Sequence, residues 1–105
     1  EIIKKESIML LEKVPKDSYL ISWDSSGTQV SSADFANLIR HRIQTNKSVC
    51  FLIGGSHGFS EEIKQKSDMV LSASLLTFPH KLFRLILVEQ IYRAHTILAN
   101  MPYHK

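Results

Sequence analysis

The stretch Val49-Cys50-Phe51-Leu52-Ile53-Gly54-Gly55-Ser56-His57-Gly58-Phe59-Ser60-Glu61-Glu62 decides the fold class of this chain. Its first five residues are a continuous apolar run, the pattern of a strand covered on both faces, as in a parallel sheet. A glycine-rich loop follows over Gly54 to Phe59. Ser60 then stands where it can N-cap a helix, with Glu61 and Glu62 placed to suit the positive end of the helix dipole. Strand, loop and capped helix form half of a βαβ unit.

The pattern repeats outward in both directions. Upstream, residues 2–14 carry Ile2, Ile3, Met9, Leu10 and Val14 at helical spacing, and Pro15 ends that helix. Tyr19 to Trp23 reads as a strand and Asp24-Ser25-Ser26-Gly27 as a turn. Ser31 or Ser32 can cap a helix over Ala33 to Thr45, with Phe35, Leu38, Ile39 and Ile43 on one face. Downstream, Met69 to Ala73 is a short strand and Ser74 to Pro79 a loop. A last helix then runs from Pro79 to about Asn100, followed by a tail, Met101 to Lys105. The alternation predicts an α/β domain over residues 1–105, with a mainly parallel sheet and helices on both faces. Three strands make a thin sheet, and the chain opens on Glu1 within a helical pattern. An additional strand upstream is therefore expected.

The last helix has an unusual surface. Leu82, Phe83, Leu85, Ile86, Leu87, Val88, Ile91, Tyr92, Ala94, Ile97 and Leu98 occupy most of its circumference. A helix apolar nearly all round is buried nearly all round. One side can pack on its own sheet; the other requires a second subunit, which predicts a homodimer built on this helix.

Composition narrows the function classes. An apolar fraction of 44% and a charged fraction of 22% belong to a globular protein. Cys50 is the single cysteine, so no intrachain disulfide forms, which fits a reducing, cytoplasmic setting. No run approaches the ~20 apolar residues of a membrane span. The five histidines are scattered without metal-ligand spacing, so no metal is expected. The formal charge of +3 is unevenly placed. Acids and bases cancel over residues 1–78, whereas Lys81, Arg84, Arg93 and Lys105 face Glu89 alone thereafter. A basic end on a neutral body suits a polyanion such as RNA, although a solvated basic helix has the same composition.

Three loops follow the three strands: Asp24 to Gly27, Gly54 to Phe59 and Ser74 to Pro79. In an open parallel sheet such loops share the carboxyl edge, where ligands bind. The glycine loop is neither a dinucleotide fingerprint nor a P-loop. His57 within it admits two readings, a ligand contact or an exposed side chain.

Four blocks in order carry a resemblance. They are Phe51 to Phe59 (FLIGGSHGF), Leu71 to His80 (LSASLLTFPH), Arg84 to Ala94 (RLILVEQIYRA) and Asn100 to Lys105 (NMPYHK). Together they resemble the RlmH family of SPOUT-class methyltransferases, which normally carries an additional N-terminal stretch. That resemblance implies a C-terminal trefoil knot, a homodimer, S-adenosyl-L-methionine (AdoMet) as methyl donor, and methylation of N3 of a pseudouridine in 23S rRNA of the large subunit or assembled ribosome. Carried over, the cofactor residues are Trp23, Gly55, Ser74, Leu75, Leu76, Thr77, Phe78 and Pro79, all on the three strand-end loops. The family usually has a smaller aliphatic residue in the place of Trp23, and a D-x-x-G-K turn where this chain has D-S-S-G. The resemblance also makes the tail functional: His104 as the candidate base for the N3 proton, Arg93 to stabilise negative charge or hold phosphate, and Tyr103 to stack on a base. Two other readings stay open: a SPOUT enzyme with another RNA target, and a catalytically silent dimeric AdoMet- or RNA-binding protein.

Overall fold

The computed structural model describes residues 9–54 and 59–104. Three parallel strands form one sheet: β1 (Tyr19–Gln29), β2 (Val49–Ile53) and β3 (Met69–Ser72), in the order β2-β1-β3. The helices are α1 (Ser32–Gln44), α2 (Glu61–Lys66) and α3 (His80–Leu98), and residues 9–12 are also helical. The start of the expected first helix, residues 2–8, lies outside the described residues. Among the described residues no helix is long and apolar enough to cross a membrane, and no cluster of His, Cys, Asp or Glu is arranged to hold a metal ion.

Strand alternation sorts the core into two layers. Tyr19, Ile21 and Trp23 of β1, Val49, Phe51 and Ile53 of β2, and Met69 and Leu71 of β3 turn to the face covered by α1 and α3. There they meet Phe35, Ala36, Ile39, Leu87 and Ala94. Leu20, Cys50 and Leu52 turn to the other face, against Ile63 of α2, Phe59 and the upstream residues Leu10, Leu11 and Val14. The apolar run of β2 is thus covered on both sides, as its composition predicts.

The caps are those the sequence offers. Ser31 accepts the Asp34 N–H at 3.0 Å at the start of α1, and Ser60 accepts the Ile63 N–H at 3.4 Å at the start of α2. Helices α1 and α3 both end in Schellman motifs. Asn46 and Asn100 take the left-handed conformation (φ 58° and 57°), and the next N–H reaches back to Arg42 and Thr96 respectively.

Two expectations are corrected. Strand β1 does not stop at Trp23 but resumes beyond the turn and runs to Gln29. Trp23 and Thr28 both stand opposite Leu71, so Asp24 to Gly27 bulge out of a continuous strand. Gly27 makes the return possible, because a Cβ there would lie 2.6 Å from the Val70 carbonyl oxygen and 2.7 Å from the Leu71 carbonyl carbon. Second, Ile43 is 57% exposed rather than on the inner face of α1. The contact with α3 and the sheet centres on Phe35, Ala36 and Ile39, one turn further back.

Candidate functional site

The carboxyl ends of β2 and β3 and the bulge within β1 open onto one cavity of about 440 Å³, a volume suited to a cofactor-sized molecule. Each strand-end loop contributes. Trp23, Asp24 and Ser25 come from the start of the bulge in β1, Ile53 and Gly54 from the end of β2, and Ser72, Ala73, Ser74, Leu76, Thr77 and Phe78 from β3 and its loop. Phe59 and Lys64 close one side, and His80 and Phe83 of α3 the other.

Of the eight residues expected at the cofactor, Trp23, Ser74, Leu76, Thr77 and Phe78 line this cavity. Gly55 lies outside the described residues, as does His57, although the adjoining Gly54 is at the wall. Leu75 and Pro79 are exposed and not among the lining residues. The third loop is shaped from within: the Ser72 hydroxyl donates to the Ser74 carbonyl at 2.9 Å, and the Ser74 hydroxyl accepts the Leu76 N–H at 2.9 Å. His80 bridges it to the second loop, with Nδ1 3.3 Å from the Gly54 carbonyl oxygen.

Trp23 is the hub of the apolar wall, edge-on to Phe35 at 5.5 Å and tilted against Phe83 at 5.9 Å. Its indole Nε1 is buried and has no hydrogen-bond partner among the described residues. A buried unpaired donor at a cavity wall is a group that a ligand acceptor would satisfy.

Asp24 and Phe59 fall within the loops expected at the pocket without being singled out as site residues, and Lys64, His80 and Phe83 lie outside those loops. Signals existed for two of them. Asp24 opens the turn that the sequence places after Tyr19 to Trp23, and Lys64 stands one turn into the helix that follows the glycine loop. The Asp24 carboxylate accepts the Ser26 N–H at 3.0 Å and the Ser26 hydroxyl, and lies 3.7 Å from Lys64 Nζ. Burial disfavours its charge. The Ser26 hydrogen bonds, together with Lys64 and the Phe59 N–H, outweigh that and hold the carboxyl below its ordinary pKa.

The three tail candidates converge elsewhere. The Schellman turn at Asn100 folds the chain back along α3, so Tyr103 and His104 reach the helix they have just left. Tyr103 donates its hydroxyl to Glu89 Oε2 at 2.9 Å and packs edge-on against Tyr92 at 4.9 Å. Arg93 pairs with the same Glu89 oxygen at 2.9 Å, lies over the Tyr103 ring, and meets His104 Nδ1 at 3.0 Å. Arg93 therefore does form the ordinary i,i+4 pair with Glu89, but as part of a larger cluster. The Arg93 and Tyr103 hydrogen bonds lower the pKa of Glu89, and the bond to Glu89 raises those of Arg93 and Tyr103. None of the four lines the cavity. Arg93 lies more than three turns beyond His80, about 20 Å along the axis at 1.5 Å per residue.

A family model described as "Predicted SPOUT methyltransferase" matches residues 1–104. Among curated proteins, the chain is 49% identical over 105 residues to a ribosomal RNA large subunit methyltransferase H of Acholeplasma laidlawii, covering 98% of this chain and 71% of that protein. It is 49% identical to the protein of that name from Malacoplasma penetrans, covering 100% and 66%. Against that of Caldicellulosiruptor saccharolyticus it is 40% identical over 104 residues, covering 99% and 68%. The chain thus spans about two thirds of the length of these relatives.

Proposed function

The chain belongs to the SPOUT methyltransferase family, and from that premise we propose that it is an AdoMet-dependent enzyme that methylates N3 of a pseudouridine in 23S rRNA, within the large subunit or the assembled ribosome in the cytoplasm. The single observation that carries this reading is the convergence of the β1 bulge and the loops after β2 and β3 on one cavity, walled by Trp23, Ser74, Leu76, Thr77 and Phe78. Full-length relatives named as large-subunit rRNA methyltransferases supply the substrate class.

AdoMet supplies an activated methyl group. What remains for the protein is to position it, exclude water and handle the N3 proton. Trp23, Phe78 and Phe83 offer aromatic surface to a nucleoside, and the unpaired Trp23 Nε1 offers it a donor. Residues 74–79, with Gly55, are the cofactor cradle, and the C-terminal part of the chain is tied in a trefoil knot around them. The His80 bond to Gly54 ties the second loop to the start of α3, directly after the third.

Arg93, Tyr103 and His104 form the RNA-facing end. Guanidinium only donates, so His104 Nδ1 must be the acceptor in their 3.0 Å contact. If Arg93 turns to an RNA phosphate, Nδ1 is released to accept the N3 proton.

A homodimer brings this end to a cavity. Along α3, Arg93 stands ten residues, about 15 Å, beyond Phe83, the last residue of that helix to line the cavity, so the tail does not reach the cavity of its own chain. The outer face of α3 is apolar: Leu85 is 66% exposed and Val88 62%, with Leu82 and Tyr92 beside them. Pairing two copies through that face covers it and sets each tail toward the partner's cavity, the whole chain acting as a single SPOUT domain.

The test uses AdoMet labelled in the methyl group with large ribosomal subunits from a strain lacking the modification. Label should enter 23S rRNA and saturate at one methyl per subunit. Absence of incorporation by a chain that binds AdoMet would overturn the reading.

A further inference from the structure

The cavity is polarised. Among its described lining residues, the carboxylate and the ammonium are both on one side, Asp24 in the bulge of β1 and Lys64 on α2. The opposite side is built from the third loop and α3, with Leu76, Phe78 and Phe83. The two sides belong to different faces of the sheet, since α2 packs on the Leu20–Leu52 face and α3 on the Ile21–Leu71 face.

The ion pair is a loose one. Lys64 Nζ lies 3.7 Å from Asp24 and 3.8 Å from Glu61, and no described residue accepts a hydrogen bond from it. An ammonium has three protons to donate, and here the nearest acceptors stand just beyond hydrogen-bond reach. Both side chains are nonetheless withdrawn from solvent, Asp24 to 12% exposure and Lys64 to 26%. Asp24 is fixed in place by Ser26.

We propose that Asp24 and Lys64 are the subsite for the amino-acid end of the cofactor, Lys64 taking its α-carboxylate and Asp24 its α-ammonium, while the aromatic side of the cavity takes the adenosine. A loosely opposed carboxylate and ammonium match a zwitterion charge for charge, in a way that an adenine or a ribose does not require. The pairing also fixes the direction in which the cofactor lies. This assignment rests on the AdoMet reading above.

The test separates the subsite from a merely structural pair by truncating the ligand as well as the protein. S-adenosylhomocysteine carries the zwitterionic end; 5′-methylthioadenosine lacks it. Trp23 is the only tryptophan of the chain and lies at the cavity wall, so its fluorescence reports both titrations. Lys64→Met should weaken S-adenosylhomocysteine by about tenfold or more, the scale of one charge-assisted hydrogen bond, and leave 5′-methylthioadenosine unchanged. Lys64→Arg should restore the difference, and Asp24→Asn should act like Lys64→Met. Equal weakening of both ligands, or of neither, by Lys64→Met would overturn the assignment while leaving the cofactor reading intact. A wild-type chain that binds neither these ligands nor AdoMet would overturn both. Lys64 is half-buried on a short helix, so its variants keep the test available even if Asp24→Asn does not fold.

Discussion

His104 Nδ1 lies 3.0 Å from Arg93 Nη1, and because a guanidinium only donates, the imidazole nitrogen is the acceptor in that contact. The same Arg93 is held by Glu89, which also receives the Tyr103 hydroxyl. The tail is therefore ordered by α3 itself.

Deleting Tyr103 to Lys105 should abolish methylation and leave AdoMet affinity within about twofold, since no described residue of the tail lines the cavity. His104→Ala should lower the rate at saturating RNA by about a hundredfold, the usual scale for loss of a general base. Single-turnover kinetics with binding measured in parallel checks both. A wild-type rate in His104→Ala would remove His104 from the chemistry.

The outer face of α3 gives a prediction about assembly. Leu85→Glu with Val88→Glu should convert a dimer to a monomer at micromolar concentration, because both side chains are exposed in the single chain and would carry charge into the paired surface. Sedimentation velocity reads the result. Methylation should fall with dimerisation, whereas AdoMet binding should decline less.

Gly27→Ala should destabilise the fold by roughly 1–3 kcal/mol, the usual cost of forcing volume into a packed site. The methyl group would meet the Val70 and Leu71 backbone, which cannot rotate away as a side chain can. Denaturant unfolding measures the loss. Cofactor affinity should fall with it, because the bulge that Gly27 closes also carries Asp24 to the cavity.

The depressed pKa of Asp24 makes a signed pH prediction. Its charge is favoured in the folded state, so it contributes stability above its ordinary value of 3.8, and that contribution is lost as pH falls through the lower folded value. The stability difference between wild type and Asp24→Asn should be constant near neutrality and should close below about pH 4. Thermal unfolding across that range checks it; a difference unchanged down to pH 2 would show that the Asp24 charge is not what is lost.

Much of the fold was legible because the relevant signals are local. Val49 to Ile53 has no polar residue to expose, Ser31 and Ser60 stand ahead of their helices, and the parallel sheet follows from strand–helix alternation. Less local features were not. Asp24-Ser25-Ser26-Gly27 has the composition of a turn, and only the register against Leu71 shows the strand continuing beyond it. Ile43 fits the helical period of Phe35 and Ile39, but where α3 crosses decides which part of that stripe is covered. The cofactor loops were read from strand ends and family blocks. The partners Asp24 and Lys64 are separated by forty residues of chain and meet only because α2 packs beside β1. The return of Tyr103 and His104 onto Glu89 and Arg93 depends on the left-handed turn at Asn100, one residue in a tail that otherwise resembles an ordinary terminus.

The most direct measurement is mass spectrometry of nuclease-digested 23S rRNA after reaction of unmodified large subunits with the chain and AdoMet. The account predicts one added methyl group, on N3 of a single pseudouridine, appearing with the wild-type chain and absent with the Tyr103–Lys105 deletion. Methylation of a ribose or of a different base, or RNA left unmodified by a chain shown to bind AdoMet and to dimerise, would contradict it.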